Sequence, residues 1–130
     1  MNVKTWRALG LAALCAVLAL NGVRADDKPT DEGKAEDFKG KSFDLKEKGK
    51  AAIILAFPSG KEALITVKSE KKSDVNLYVL DDAGKVLEKD ESPGPDCEIK
   101  FKPKASGKYT LEIRNLGPGD NKSTLKVALK

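Results

Sequence analysis

Apolar and polar residues alternate with a period of two along most of the chain after residue 40. The clearest run is S-D-V-N-L-Y-V-L-D-D-A-G-K at residues 73–85, in which Val75, Leu77 and Val79 occupy every second position. This period places alternate side chains on one buried face of a β-strand. The D-D-A-G sequence at residues 81–84 is typical of a tight turn, because Asp tolerates turn conformations and Gly adopts positive φ. The run therefore predicts a strand followed by a hairpin turn.

Seven other segments show the same strand-like character and are separated by turn residues at regular spacing. The eight predicted strands cover residues 41–46, 51–57, 61–68, 75–80, 85–89, 97–102, 108–115 and 123–130. No helical pattern of 10–15 residues lies between them, which argues against an α/β fold. The pattern predicts an all-β protein, an antiparallel β-sandwich of about eight strands, with a closed barrel as the alternative.

The first 25 residues have a different composition. Lys4 and Arg7 precede an apolar run at residues 8–20, which a polar break and small residues follow. This order is typical of a secretory signal peptide, with cleavage predicted after Ala25. The apolar run is shorter than the about 20 residues that span a bilayer, although a retained N-terminal anchor is an alternative. We expect a secreted or periplasmic protein with no membrane span after cleavage.

Residues 26–37 are polar and charged, and they lack β-branched and aromatic side chains except for Thr30. Such a segment buries too little apolar surface to become ordered, so we predict a flexible leader. The predicted domain occupies residues 38–130.

The net charge of the chain depends mainly on its first 25 residues. The whole sequence has 24 Lys and Arg against 20 Asp and Glu, a formal charge of +4. Three of these basic residues and no acidic residue precede residue 26, which leaves 21 basic and 20 acidic residues afterwards. Because the two signs are interleaved, the charge pattern indicates an ordinary solvated surface and no nucleic-acid partner.

The residue types present exclude several kinds of catalysis. The chain has no histidine, which excludes Ser-His-Asp and Cys-His nucleophiles and His-ligated zinc. Cys97 is the one cysteine after residue 25, and it begins an alternating apolar run, so we predict a buried thiol. We expect no enzymatic activity. A small hydrolase using a carboxylate pair, such as Asp90 and Glu91, is a distant alternative.

Side chains with oxygen ligands are concentrated between the Ser73 strand and the loop that precedes Cys97. Calcium binds six to eight such oxygens in proteins, although no EF-hand spacing is present here. The alternative is that these residues cap turns and solvate a loop. The sequence predicts a calcium site formed by Asp74, Asn76, Asp81, Asp82, Asp90 and Asp96, near Glu91.

Tyr78 is the aromatic residue best placed to bind a partner. It has the opposite phase to Leu77, so we expect its ring on the outer face of a sheet. Ile54 and Leu64 could extend that face into an apolar patch, which on a free module would indicate a partner. Alternatively, Phe38 and the leader cover this face.

Four segments together resemble the bacterial pre-peptidase C-terminal domain. They are residues 73–85, D-E-S-P-G-P-D at 90–96, I-K-F-K-P at 99–103 and S-G-K-Y-T-L-E-I-R-N-L-G at 106–117. The resemblance covers residues 38–130 and implies a jelly-roll-like sandwich that acts as a non-catalytic, extracytoplasmic accessory module. Some relatives in collagenases bind calcium and their polymeric substrate. The family strand often reads S-D-x-D-L, and here Asn76 replaces the second acid.

These observations together predict a monomeric binding module for an exported protein or a cell-envelope polysaccharide. A calcium-stabilised structural sandwich without a binding partner is the alternative. In that case calcium would be the only cofactor.

Overall fold

The computed structural model of the protein describes residues 28–130. The predicted signal peptide at residues 1–25 and its cleavage after Ala25 lie outside the described residues. In the described part, no helix is long and apolar enough to cross a membrane.

The described residues form nine β-strands and one short 3-10 turn at Ala35–Asp37. The strands are β1 (Thr30–Lys34), β2 (Lys41–Leu45), β3 (Lys50–Phe57), β4 (Ala63–Ser69), β5 (Val75–Leu80), β6 (Val86–Asp90), β7 (Cys97–Phe101), β8 (Gly107–Asn115) and β9 (Asn121–Leu129).

The strands build two sheets that pack face to face. A five-stranded sheet has the order β1-β3-β8-β5-β6, and a four-stranded sheet has the order β2-β9-β4-β7. Every pairing is antiparallel except that of β1 with β3. The predicted fold class, an all-β antiparallel sandwich, is confirmed, and neither sheet closes into a barrel.

The core lies between the sheets and is built by the predicted alternation. In β4, Ala63, Ile65 and Val67 have no exposed surface, and the residues between them face outward. β7 shows the same pattern, with Cys97, Ile99 and Phe101 buried. Each strand therefore contributes one apolar face, and burial of these faces supplies the main free energy of folding.

The Ser73 strand differs in one respect from the prediction. The inward side chains of Val75, Leu77 and Val79 are fully buried as expected, but Asn76 and Tyr78 on the opposite face are also buried, at 5% and 7% exposure. β5 lies between β8 and β6, so neighbouring side chains cover its outer face. The following turn forms as predicted, with Gly84 at a φ of 86°.

The described part of the leader, residues 28–37, is ordered where the sequence predicted flexibility. β1 pairs in parallel with β3, and Ala35 in the following turn is 2% exposed. Nearly all β1 side chains are exposed, so backbone hydrogen bonds hold the strand, with ion pairs from Asp31 to Lys108 and from Glu32 to Lys41. The prediction failed because it considered apolar burial alone, and an edge strand needs little of it.

Candidate functional site

The predicted metal ligands Asp81 and Asp82 lie in the turn between β5 and β6. Asp81 Oδ1 accepts hydrogen bonds from the backbone N–H groups of Ala83 and Lys85, at 2.9 and 2.8 Å. Asp82 is exposed at the tip of the same turn. Asp81 therefore stabilises the turn that the D-D-A-G sequence predicted.

Asp90 and Asp96 organise the loop between β6 and β7. Asp90 accepts hydrogen bonds from the hydroxyl and N–H of Ser92 and from the N–H of Glu98. Partial burial opposes ionisation of Asp90, but these hydrogen bonds outweigh it and hold the pKa of the carboxyl below its ordinary value. Asp96 accepts a hydrogen bond from the N–H of Ser69 and pairs with Lys68. Both carboxylates are thus committed to local structure.

Asp74 and Asn76 are the two predicted ligands that each have a buried oxygen without a hydrogen-bond partner. Asp74 Oδ1 and Asn76 Oδ1 are buried and have no hydrogen-bond partner. Buried acceptors without partners carry a free-energy cost of about 1–3 kcal/mol each, which a cation or water would relieve.

The structure does not bring the six predicted calcium ligands together. Among residues 28–130, no group of three or more His, Cys, Asp or Glu side chains could hold a metal ion. Asp81, Asp90 and Asp96 each accept hydrogen bonds from backbone N–H groups, whereas Asp74 Oδ1 and Asn76 Oδ1 are buried without a partner.

The predicted partner-binding residue Tyr78 lies on the outer face of its sheet, as expected, but it is covered. The Arg114 guanidinium lies 4.6 Å from the centre of its ring. The Tyr78 hydroxyl donates to Glu91 Oε2 at 2.6 Å and accepts from Asn76 Nδ2 at 3.1 Å. Burial, together with the hydrogen bond to Glu91, raises the pKa of Tyr78. Its ring is therefore part of a polar cluster and offers little surface to a ligand.

The apolar patch predicted around Tyr78 does not form as proposed. Ile54 lies on the five-stranded sheet with Tyr78, but Leu64 is in β4 of the other sheet. The two residues therefore face away from each other, on opposite sides of the sandwich. Phe38 packs against the hydrophobic core between the sheets.

Cys97 is buried at 4% exposure, as the alternating pattern predicted. Its Sγ–H donates to the carbonyl of Val75 at 3.0 Å. Burial, and then the negative charges of Asp90, Asp74 and Asp96, raise the pKa of the thiol to about 12. The thiol is therefore protonated at neutral pH and a poor nucleophile.

Asn115, which the sequence analysis did not single out, organises one end of the sandwich. The residue is the last of β8 and has no exposed surface. Its Nδ2 donates to the carbonyls of Lys46 and Gly119, at 3.2 and 2.9 Å. Its Oδ1 accepts from the N–H of Gly117 and from the hydroxyl of Ser73, both at 3.2 Å. All four hydrogen-bonding positions of this amide are used.

Asn121, the first residue of β9, extends the network. Its Oδ1 accepts from the N–H of Lys71 at 2.8 Å, and its Nδ2 donates to the carbonyl of Lys71 at 3.0 Å and to the Ser73 hydroxyl at 2.8 Å. Ser73 therefore joins the two asparagines. Gly117 must be glycine for this packing, because a Cβ there would lie 2.2 Å from the Ser73 Cβ.

These contacts tie together the loops at residues 46–49, 70–74 and 116–120, which we name the loop end. A reciprocal pair of hydrogen bonds adds to it: Glu47 N–H donates to Asp120, and Gly119 N–H donates to Glu47. Leu116 projects from this framework with 40% exposure, while Asn115 and Gly117 on either side are buried. A shallow depression at the loop end is lined by residues of both charges, including Lys46, Glu70, Lys71 and Asp120.

The sequence did contain a weak signal for the loop end. The L-G-P-G-D segment at residues 116–120 has the Gly and Pro content of a loop, and Asn115 and Asn121 stand directly on either side of it. Asn is favoured in such positions because its amide bonds to nearby backbone groups. The sequence did not show that both amides would meet Ser73, which is more than 40 residues away.

The fold is similar to those of two solved structures. The pre-peptidase C-terminal domain of a collagenase from Bacillus anthracis has a TM-score of 0.65 and 18% identity, and the match covers 78% of this chain and 95% of that chain. A periplasmic inhibitor of g-type lysozyme from Aeromonas hydrophila has a TM-score of 0.54 and 15% identity, over 79% of this chain and all of that chain. No protein-family model and no curated protein sequence matches the chain. The likeness shows that the chain has a fold like that of the pre-peptidase C-terminal domain.

The burial of Cys97 leads to a testable prediction. We expect a thiol reagent to label Cys97 in the native protein about a thousandfold or more slowly than in denaturant, because the thiol reacts only after the structure opens. The rate is read by mass spectrometry on the peptide that contains Cys97. An exposed cysteine introduced by Ser59→Cys serves as the control and should be labelled rapidly. Equal labelling of the two native thiols would contradict the burial of Cys97.

Proposed function

We propose that this chain is an exported, non-catalytic module that binds a protein partner through its loop end. The proposal rests on the exposure of Leu116, a large apolar side chain. The loop that carries it is fixed by hydrogen bonds to the buried Asn115 amide. Binding sites are often built on loops that a rigid scaffold positions. A loop that is already ordered loses little conformational entropy on binding, which favours affinity.

The surroundings of Leu116 suit a protein surface. Pro118 is exposed next to it, and the Lys48 ammonium donates to the Leu116 carbonyl at 2.6 Å. Charged residues of both signs line the depression at the loop end. An apolar centre with a polar, mixed-charge rim is the usual composition of a protein–protein interface.

The structural comparisons support this proposal and suggest a class of partner. One neighbour is a domain of a collagenase, and the other is named as a periplasmic lysozyme inhibitor. We infer that a lysozyme-type hydrolase is the first partner to test. Export is supported by the basic, apolar and small-residue order of residues 1–25.

The test is inhibition of a g-type lysozyme, followed as the clearing of a bacterial cell-wall suspension. We expect the protein to inhibit lysis, and Leu116→Ser to weaken inhibition by about tenfold or more, because the variant loses a buried apolar anchor in the complex. Leu87→Ser is the matched control: Leu87 is 39% exposed on the edge strand β6, far from the loop end in the fold. This variant should inhibit as well as the unaltered protein.

Two results would contradict the proposal. One is the absence of both inhibition and binding of the lysozyme by the unaltered protein, which would exclude this partner. The other is an equal loss in the Leu116→Ser and Leu87→Ser variants, which would exclude the loop end as the binding surface. A circular-dichroism melt of each variant verifies that the fold is intact.

A second candidate function is a calcium-stabilised structural domain. It is favoured by the two buried oxygens without hydrogen-bond partners, Asp74 Oδ1 and Asn76 Oδ1, which lie two residues apart at the start of β5. Asp74 and Asn76 would hold the ion, with waters or backbone carbonyls supplying the other ligands. A bound ion would satisfy both buried acceptors and so stabilise the native state.

Thermal melts in chelator and then in millimolar calcium test this candidate. A ligand at about 100 times its dissociation constant stabilises the native state by about 2.7 kcal/mol, which raises Tm by several degrees in a domain of this size. We expect Asp74→Asn to reduce the shift strongly and Asp82→Asn, an exposed turn residue, to leave it unchanged. No shift in the unaltered protein, or an unchanged shift in Asp74→Asn, would exclude this calcium site.

A further inference from the structure

Two turns at the end of the sandwich opposite the loop end form one rigid unit. They are the β3–β4 turn at residues 58–62 and the β7–β8 turn at residues 102–106. Gly60 N–H donates to the carbonyl of Pro103 at 3.0 Å, and Ser59 N–H donates to the Ser106 hydroxyl at 2.8 Å. The two turns therefore hold a fixed position relative to each other.

A cluster of aromatic rings supports these turns from below. Phe57, Phe101 and Tyr109 contact each other edge to face, with ring centres 5.1 to 6.0 Å apart. The Tyr109 hydroxyl donates to the carbonyl of Ala105 at 2.6 Å, which fixes the second turn to the cluster. Packed aromatic rings of this kind form a stiff base.

The two turns have an unusual charge. Together, residues 58–62 and 102–106 contain three lysines and one acidic residue, Glu62, although the chain after residue 25 is almost balanced in charge. Lys61, Lys102 and Lys104 are exposed, and none of them has an ion-pair partner among the described residues. Lys108, which follows in β8, pairs with Asp31 at 2.9 Å. We name Lys61, Lys102 and Lys104 with their two turns the basic tip.

Glu62, the acidic residue of the two turns, does not neutralise the lysines of the basic tip. Glu62 follows Lys61 directly, but its carboxylate pairs with Lys130 at 3.6 Å. Three lysines without an ion-pair partner among the described residues are therefore left on two turns that are hydrogen-bonded to each other. Their mutual repulsion is relieved when an anion binds, because opposite charge then lies close to all three.

We propose that the basic tip binds a linear polymer that carries repeated phosphate groups. Lysine binds phosphate as a point charge and does not require the two-point geometry of arginine. Three such charges at separate points on one surface match successive charges along a polymer better than a single small anion. Binding releases the counterions condensed on the polymer, which supplies the driving force.

The composition of the basic tip argues against a protein as its ligand. Protein interfaces are enriched in aromatic residues and arginine and are depleted in lysine. The basic tip has lysines and serines at its surface, and its aromatic rings lie underneath. The tip shares no residue with the loop end, so this proposal stands independently of the protein partner.

The experiment measures binding of fluorescently labelled inorganic polyphosphate to the purified protein as a function of salt. With about three lysine contacts and a slope of about 0.7 per contact, affinity should fall on the order of twentyfold between about 50 and about 200 mM salt. Replacing Lys61, Lys102 and Lys104 together by Gln should abolish most of the binding. Polygalacturonate, a carboxylate polymer, and neutral dextran test the chemistry of the ligand.

A matched variant controls for the loss of charge. Lys39, Lys50 and Lys126 are exposed, lie outside the tip and form no ion pair among the described residues. Their joint replacement by Gln removes the same three charges and should leave polyphosphate binding within about twofold, since only long-range attraction is lost. A thermal melt of each triple variant confirms folding.

Several outcomes would overturn the proposal. Equal weakening in the two triple variants would show non-specific attraction. Absence of polyphosphate binding, or affinity that does not depend on salt, would exclude an electrostatic phosphate site. Stronger binding of polygalacturonate than of polyphosphate would assign the tip to carboxylate polymers instead.

Discussion

The side chain of Asn115 is the interaction on which the loop end of this protein depends. Where β8 ends, three loops meet in a buried space, and their backbone groups cannot all bond to each other or to water. The Asn115 amide donates to two loop carbonyls and accepts from Gly117 and Ser73, so one side chain replaces four missing partners. Unsatisfied buried groups would otherwise destabilise the loops. Gly117 allows the close approach to Ser73 that the network needs.

The two ends of the sandwich differ chemically. The loop end is tied by amide hydrogen bonds and exposes Leu116 among residues of both charges. The basic tip is supported by aromatic packing and exposes lysines without acidic partners. The two sheets between them are rigid, with core residues such as Ile53, Leu77 and Leu111 completely buried. Under our two proposals, the loop end binds a protein and the basic tip binds a polyanion.

The sequence predicted the parts of the fold that arise from local periodicity. The alternation around Val75 and Leu77, and the turn that begins at Asp81, formed as expected because each depends on neighbouring residues alone. β1 was not predicted, because it is held by backbone pairing with β3 and has little apolar surface. Leu64 was assigned to the wrong sheet because sheet membership depends on long-range pairing, which a single strand does not reveal.

The candidate site was harder to predict for a related reason. Carboxylates near one another in sequence were expected to share a cation, but Asp81 and Asp90 each bond to backbone groups in their own turns. Tyr78 had the predicted outward phase, yet Arg114 from the next strand covers it. The partners of Asn115 come from segments up to 69 residues away, so its role required the folded structure.

Hydrogen exchange at backbone amides in the Asn115→Ala variant tests most directly whether this asparagine holds the loop end. We expect faster exchange at residues 46–49, 70–74 and 116–120 than in the unaltered protein, because loss of the amide leaves these loops free to open. Exchange in the basic tip, at residues 58–61 and 102–106, should remain unchanged. Unchanged exchange at the loop end, or an equal increase at both ends, would contradict a central role for Asn115.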